Sequence, residues 1–469
     1  MKMIPQTTKM IWTSKLYCKV KSPFKELNNM KGVMITAPAS GSGKTVVTMG
    51  IIRALADLGF NVCGFKTGPD YIDTAFIQTA SGKEAGNLDM HLQGVDGMGM
   101  SLLMGEGEYC VIEGAMGYFD GIYNTYENSS FDIAKTLNVN AILVFTPRGE
   151  MFSAVPKIKG MADFPGSTIK AVILNQVSER TYKLLKEPIQ KYTGLHLLGF
   201  IPKMSDLELK SRHLGLIQSI EVDDLNNRIQ WAADIIKQNI DLNLLVKLME
   251  ELDFIPVDYP PVRKITVAVA RDPAFSFYYR ENLKLLSKCC NIEYFSPLQD
   301  RELPPCDLLY LGGGYPELYR TELAANRTML ASIKAFADGG GCIYAECGGF
   351  MYLMEYIEDS RMVGVFPGKS LMTDKLQNFG YIDIELKKDC MLGKAKDRLT
   401  GHEFHKSITV SSNSDTVYSI KKTKADAAWS GGHRYKNVLA GYPHISFLGN
   451  MNSFLSMLDY AANRGKGGR

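Results

Sequence analysis

A chain of 469 residues is too long for one ordinary hydrophobic core and, at roughly 100–200 residues per domain, calls for two or three domains. Apolar residues make up 45% and charged residues 22%, and 53 basic against 50 acidic side chains leave a net charge of +3 without a long run of either sign, so no nucleic acid and no anionic membrane is demanded as a partner. Nine cysteines without a CxxC pair indicate neither a disulfide framework nor a zinc site, which suits a reducing cytoplasm, and no apolar stretch of about 18 residues argues for a membrane span.

Residues 1–29 mix basic, polar and isolated aromatic side chains without the apolar core of a signal peptide, and read as an extension ahead of the fold. The first strand, Val33 to Thr36, runs into Ala37-Pro-Ala-Ser-Gly-Ser-Gly-Lys-Thr45 and then a helix. That order makes a phosphate cradle. Ser40, Gly41, Ser42 and Gly43 let successive N–H groups turn inward on an anion, Lys44 reaches the outer phosphates, and the Thr45 hydroxyl ligates Mg²⁺. Pro38 stands where the usual pattern has its first glycine; the rival reading is a chance Gly/Ser-rich turn.

Up to about Lys203, further apolar runs alternate with amphipathic segments: Val62 to Lys66, Tyr109 to Ile112, Ala141 to Phe145, Ile169 to Leu174 and Leu197 to Ile201. The alternation predicts a parallel sheet with helices on both faces, and ligands at the carboxyl ends of its strands. The residues there are polar. Asp70 and Asp73 follow the second run, and Glu113 ends the third, where a Mg²⁺ ligand of a phosphate-binding sheet belongs; each alone could equally be a solvated turn carboxylate. Asn175, after the fifth, could read a purine edge or cap a turn.

Asp223 to Glu251 has the period of one helix, with Leu225, Ile229, Ala232, Ile236 and Ile240 on one face. Ile255-Pro-Val-Asp-Tyr-Pro-Pro261 cannot continue it and reads as a linker. The expected domains are therefore 30–255 and 263–469, joined by 256–262.

The second domain opens with the strand Ile265 to Ala270. A later strand, Asp307 to Leu311, runs into Gly312-Gly-Gly314, whose N–H groups could face a developing oxyanion or simply make a tight turn. Gly341-Cys-Ile-Tyr-Ala-Glu-Cys-Gly-Gly-Phe350 is a strand, a sharp turn carrying Cys347, and a helix. This is the geometry of a nucleophile elbow, with Gly348 and Gly349 leaving room for a substrate carbonyl. A base is needed. His444, after the last strand-like run, is the first candidate, and His402 and His405 are the others, read as substrate-binding or structural because no further metal ligands accompany them.

Together these blocks resemble the cobyrinate a,c-diamide synthase family, from about Met30 to the C-terminus. The resemblance is carried by residues 37–45, Lys66-Thr-Gly-Pro-Asp-Tyr-Ile-Asp73, Asn87-Leu-Asp89, Val111-Ile-Glu-Gly-Ala-Met-Gly-Tyr-Phe-Asp-Gly121, Leu311-Gly-Gly-Gly-Tyr-Pro-Glu-Leu318, residues 345–353 and Gly401-His-Glu-Phe-His-Lys-Ser407. It implies an α/β protein of two doubly wound domains. The first is a dethiobiotin-synthetase-like P-loop sheet and the second a class I glutamine amidotransferase-like sheet.

The implied activity is that of a carbon–nitrogen ligase of cobalamin biosynthesis. ATP with Mg²⁺ phosphorylates the a and c carboxylates of cobyrinate, and ammonia released from glutamine displaces the phosphate. Cys347 attacks glutamine, Gly312 to Gly314 and Gly348 hold the oxyanion, His444 moves the proton, and Asp70, Glu113 and Asp120 belong to the metal and substrate region. Many class I glutaminases carry an acid two residues after the histidine. Here Ser446 stands there, as in related corrinoid amidases, so a slower Cys–His dyad is expected. Partners are then small molecules, with room for a homodimer. The same chemistry on nickel sirohydrochlorin or hydrogenobyrinate is the alternative, and a P-loop switch or partition ATPase the alternative of another class.

Overall fold

A computed structural model of the chain describes residues 30–203, 222–412 and 415–464; the extension expected at 1–29 lies outside them. The first sheet contains seven parallel strands: β1 (Lys31–Thr36), β2 (Val62–Thr67), β3 (Gly86–Leu88), β4 (Tyr109–Glu113), β5 (Asn140–Phe145), β6 (Ile169–Asn175) and β7 (His196–Ile201). Their order is β3-β2-β4-β1-β5-β6-β7, so β1 is central and delivers its loop to the middle of the carboxyl edge. Nearly every residue of these strands is buried, as a sheet covered on both faces requires. Helix α1 (Lys44–Asp57), α2 (Ile72–Ser81) and the helix Val222–Asn239 cover one face, with Val47, Ile51, Ile77, Ile229 and Ile236 in the core. Helix α3 (Met90–Leu103) and the helices Ser130–Thr136, Ala154–Ala162 and Glu179–Thr193 cover the other.

All six expected strands are present in this sheet, and β3 is an addition. The single helix expected over 223–251 is corrected. It ends at Asn239, Ile240 bridges back to Gly199, and the Asp241 carboxylate accepts the Leu244 N–H at 2.9 Å to cap a separate helix, Leu242–Lys247. Beyond it β8 (Glu250–Glu251) pairs antiparallel with the start of β1. Residues 252–265 contain no helix or strand.

The second sheet begins as a parallel one: β9 (Thr266–Ala270), β10 (Asn291–Phe295), β11 (Leu308–Leu311) and β12 (Cys342–Glu346). Then come β13 (Met354–Ile357), β14 (Ser360–Arg361), β15 (Phe366–Leu386), β16 (Arg398–Val410), β17 (Thr416–Lys422), β18 (Ala428–Tyr435) and β19 (Val438–Gly441). The order is β10-β9-β11-β12-β19-β18-β17-β15-β13-β14, with β16 on β15. From β19 through β18 and β17 to β15 the pairing is antiparallel, which joins a long hairpin to the parallel half.

The two sheets share a buried polar seam. Arg280 donates to the Glu84 and Ser101 carbonyls and to Glu281, and Glu281 accepts from the Asn87 N–H and the Ser101 hydroxyl. A Cβ on Gly86 would lie 2.3 Å from the Arg280 guanidinium, so a larger residue there would have to displace this ion pair. Tyr381, on the long hairpin, donates to Asp89 at 2.7 Å. The Asn87–Asp89 block thus serves the contact between halves. Paired and hydrogen-bonded, these charges fix one orientation of the two sheets, whereas loss of one partner would leave the other buried and unpaired.

Candidate active site

Two constellations lie at the carboxyl ends of the two sheets. In the first, Gly41 and Gly43 have positive φ (71° and 83°), and Gly43 caps α1, so the loop bends as only glycine does without strain. Lys44 Nζ donates to the Met116 carbonyl at 2.5 Å and the Ala39 carbonyl at 3.3 Å. Burial, and then the neighbouring Lys66 charge, bring its pKa down to about 8. Gly117 has no room for a Cβ, which would sit 2.6 Å from the Pro38 carbonyl, so the 114–121 loop closes directly on the phosphate loop.

Behind the loop, Glu113 is fully buried at the tip of β4. Its Oε1 accepts from the Thr45 hydroxyl at 2.7 Å and from Lys66 Nζ at 2.8 Å, while Oε2 has no hydrogen-bond partner among the described residues. Burial raises its pKa, with Asp73 adding to the rise and Lys66 opposing it. Lys66 also holds Asp73 at 2.6 Å; although burial disfavours its charge, Glu113, Asp73 and Asp70 keep its pKa above the ordinary lysine value. Asp70 uses Oδ1 to accept the Ile72 and Asp73 N–H groups at the start of α2. Asp120 accepts the Gly117 N–H at 2.9 Å. Asn175 donates to the Ser42 carbonyl at 2.9 Å, directing its amide nitrogen at the phosphate loop.

In the second constellation Cys347 joins β12 to the helix Gly348–Leu353 with φ 47° and ψ −105°, a conformation costing on the order of 1–3 kcal/mol. Its N–H donates to the Gly441 carbonyl at 2.7 Å, tying the elbow to the strand that precedes His444. Burial, and then Glu317, raise the thiol pKa, so the resting group is a thiol. Burial, and then His402 and His405, bring His444 down to about 3, so the imidazole is neutral at rest. Gly313 lies against the ring: a Cβ there would be 2.4 Å from Cε1.

The oxyanion assignment narrows. The Gly312 N–H donates to the Tyr278 hydroxyl at 2.8 Å and the Gly313 N–H to the Phe277 carbonyl at 3.2 Å, so these two of the four expected donors are engaged in holding the loop. Gly314 and Gly348 abut instead, a Cβ on Gly348 lying 3.0 Å from Gly314 N. His402 pairs with His444 through reciprocal backbone bonds of 3.0 and 2.9 Å. His405 stacks on Tyr442 at 3.7 Å and meets Glu403 at 3.3 Å. Among the described residues no group of three or more His, Cys, Asp or Glu side chains is arranged to hold a metal. A cavity of about 280 Å³ opens beside the elbow, lined by Phe350, Glu403, His405, Trp429, Gly441 and Tyr442 among others.

The profile of the CobQ/CobB/MinD/ParA nucleotide binding domain matches residues 33–217, and that of the CobB/CobQ-like glutamine amidotransferase domain matches residues 266–451. A Clostridium acetobutylicum protein named cobyrinate a,c-diamide synthase is 42% identical over 431 residues, 90% of this chain and 98% of that one. Namesakes from Clostridium tetani (42% over 439 residues, 92% and 100% of the two chains) and Streptococcus sanguinis (39% over 449 residues, 92% and 99%) match as fully. The chain belongs to the cobyrinate a,c-diamide synthase family. Within that family frame it is a two-domain α/β protein, a nucleotide-binding domain followed by a glutamine amidotransferase domain. No helix among the described residues is long and apolar enough to cross a membrane.

Three residues at these sites were not singled out from the sequence. Lys66 stood inside a quoted block, but only the fold shows it bridging Asp73 and Glu113. Tyr71, from the same block, reaches the other domain and lies 5.3 Å from Phe277, 4.9 Å from Tyr279 and 5.5 Å from His444, ring to ring. Glu346, beside the nucleophile, sits 4.0 Å from His444 Nδ1. The signal for Tyr71 was an aromatic between two functional carboxylates; for Glu346 it was an acid inside an otherwise apolar strand.

Proposed function

We propose that this chain converts the a and c carboxylates of cobyrinate to amides, taking ammonia from glutamine and driving the reaction with ATP. The observation that carries the reading is the continuity of the 66–73 segment. One side, through Lys66 and Asp73, belongs to the phosphate site at Glu113 and Thr45, and the other, through Tyr71, presses on His444.

In the glutaminase half, His444 takes the Cys347 proton as sulfur attacks the side-chain amide carbon of glutamine. Gly314 and Gly348 offer N–H groups to the oxyanion. His444 then protonates the departing nitrogen, ammonia leaves, and water hydrolyses the thioester to glutamate. Glutamine would enter by the cavity whose lining includes the buried polar side chains Glu403 and His405.

In the other half, the loop 40–45 and Lys44 hold the ATP phosphates, and a substrate carboxylate oxygen attacks the γ-phosphorus to give an acyl phosphate and ADP. Ammonia displaces phosphate from that carbon. The arrangement suits Mg²⁺, because the Glu113 carboxylate that binds the Thr45 hydroxyl through one oxygen has its other oxygen buried and without a partner among the described residues, and this ion takes few protein ligands beside phosphate oxygens. Thr45 and Glu113 would hold it, and it would neutralise charge developing on the transferred phosphoryl group. Asp70, with one carboxylate oxygen capping α2, helps to place Tyr71 and Asp73 and stays with the metal region through its other oxygen. Asp73, Asp120, His402 and His405 border the substrate region. A cytoplasmic location suits ATP and glutamine as co-substrates.

Assay of the purified chain with ATP, Mg²⁺ and glutamine against cobyrinate and nickel sirohydrochlorin in parallel tests the reading. Two amide groups added to cobyrinate support it; preference for the nickel macrocycle, or ATP turnover indifferent to both, overturns it.

A further inference from the structure

Among the described residues His444 Nδ1 has no hydrogen-bond partner, and neither has the hydroxyl of Ser446, the residue at the position where an orienting acid was sought. Ser446 therefore does not take over that task. A different carboxylate faces the ring. Glu346 Oε2 lies 4.0 Å from His444 Nδ1, and both side chains are about 2% exposed.

Glu346 is held firmly. Its Oε2 accepts from the Tyr310 hydroxyl at 2.9 Å, and its Oε1 accepts from the Tyr344 hydroxyl at 2.8 Å and the Ile445 N–H at 3.0 Å. The last of these donors is the peptide that follows His444. The carboxylate thus grips the histidine segment by its backbone while facing the ring, and Glu346 directly precedes the residue that carries the thiol. Three donors on a buried acid keep it in place and favour its charged form, against burial that raises its pKa to about 7.

We infer that Glu346 is the positioning residue of the glutaminase site, supplying from the strand before the nucleophile the acceptor for His444 Nδ1–H that other amidotransferase sites draw from beyond the histidine. With Nδ1 carrying its hydrogen toward Glu346, Nε2 is left as the base for the Cys347 thiol. When the proton moves from Sγ to Nε2, the imidazolium gains a buried counter-charge across a gap that a small ring movement closes, since such bonds tighten only as charge develops. The inference rests on the glutaminase reading of Cys347 and His444.

Glu346→Gln tests it with little disturbance of packing. The amide oxygen can keep the Tyr344 and Ile445 donors, and the Tyr310 hydroxyl can rotate to accept from the amide nitrogen, but an N–H then faces Nδ1 in place of an oxygen. Glutamine-dependent kcat is expected to fall on the order of 10²-fold or more, with KM for glutamine and ammonia-dependent synthesis near the parent values. Glu346→Asp, which keeps the charge, should recover part of the loss. A Gln variant within about threefold of the parent overturns the inference. So does an Asp variant no better than Gln, or loss of ammonia-dependent synthesis in the Gln variant. Cys347→Ser run beside them separates the two levels: if it retains glutamine-dependent turnover the glutaminase reading itself fails, and if it loses turnover while Glu346→Gln keeps it only the role of Glu346 fails.

Discussion

The Tyr71 ring, from the nucleotide-binding half, lies 5.5 Å from the His444 imidazole of the other half and is inclined to it by 47°. Asp70 and Asp73 flank Tyr71 in sequence, and Asp73 is bound to Lys66, which is bound to Glu113. The segment bound to the phosphate site therefore carries the ring that lies beside the glutaminase base. Tyr71→Ala should remove that contact. We expect glutamine hydrolysed per amide formed to rise several-fold while ammonia-dependent synthesis persists, measured by glutamate and product released in one reaction. An unchanged ratio would reduce Tyr71 to packing.

Cys347→Ser should abolish amidation from glutamine and leave amidation from ammonium salts, since the thiol serves only amide hydrolysis. The check is product formed from each nitrogen source on one preparation. Loss of both with the fold intact would contradict the division between the two constellations.

Lys44→Ala should remove synthesis with either nitrogen source, because ammonia cannot displace an unactivated carboxylate; the loss should be on the order of 10²-fold or more. Lys44 also gives a pH signature. Its pKa of about 8 lies below the ordinary value, so in the free enzyme the charge is present below that pH and disappears above it. kcat/KM for ATP should therefore fall as pH rises through about 8, while kcat, reporting the enzyme with phosphates bound, should hold to higher pH.

Asn175 shows where the sequence was readable and where it was not. Its place at the tip of a buried apolar strand was legible from β6 alone, since a short β-branched run such as Ala171 to Leu174 suits a covered strand. The direction of its amide was not, because that depends on Ser42, far away in sequence. The same holds across the site. Cys347 in its elbow and Glu113 at its strand tip follow from local order, whereas Glu346 facing His444 depends on β12 pairing with β19. The engagement of the Gly312 N–H depends on Tyr278, from a separate segment. Strand β3 was missed because three residues, Gly86 to Leu88, carry no periodicity; their strand exists only by pairing with β2. The antiparallel strands β15 to β18, half exposed and polar on one face, lacked the continuous apolar runs by which the other strands were found.

The Asn175 geometry is itself testable. A residue reading the purine would change the preference between ATP and GTP on mutation, whereas one holding the Ser42 carbonyl should weaken both nucleotides alike. We expect Asn175→Ala to raise KM for ATP and GTP by the same factor, on the order of tenfold, the equivalent of one buried hydrogen bond lost. Competition kinetics with the two nucleotides decide it.

Glu113→Gln carries the last prediction. The variant keeps the size of a fully buried side chain and removes its charge. Lys66 retains Asp73 as partner at 2.6 Å, so the loss does not strand a buried cation, and folding should suffer little compared with function. Magnesium-dependent ATP turnover should suffer greatly, because a hard divalent cation favours anionic oxygen and an amide presents only a dipole. The Mg²⁺ concentration for half-maximal turnover is expected to rise at least tenfold, in line with the loss of one charged ligand. Cys347, on the other sheet, should still be labelled by a glutamine-like electrophile, which reports that the glutaminase half of the variant is folded. Turnover and labelling are measured on the same preparation. Retained labelling with unaltered Mg²⁺ dependence would make Glu113 a structural partner of Lys66 and Thr45.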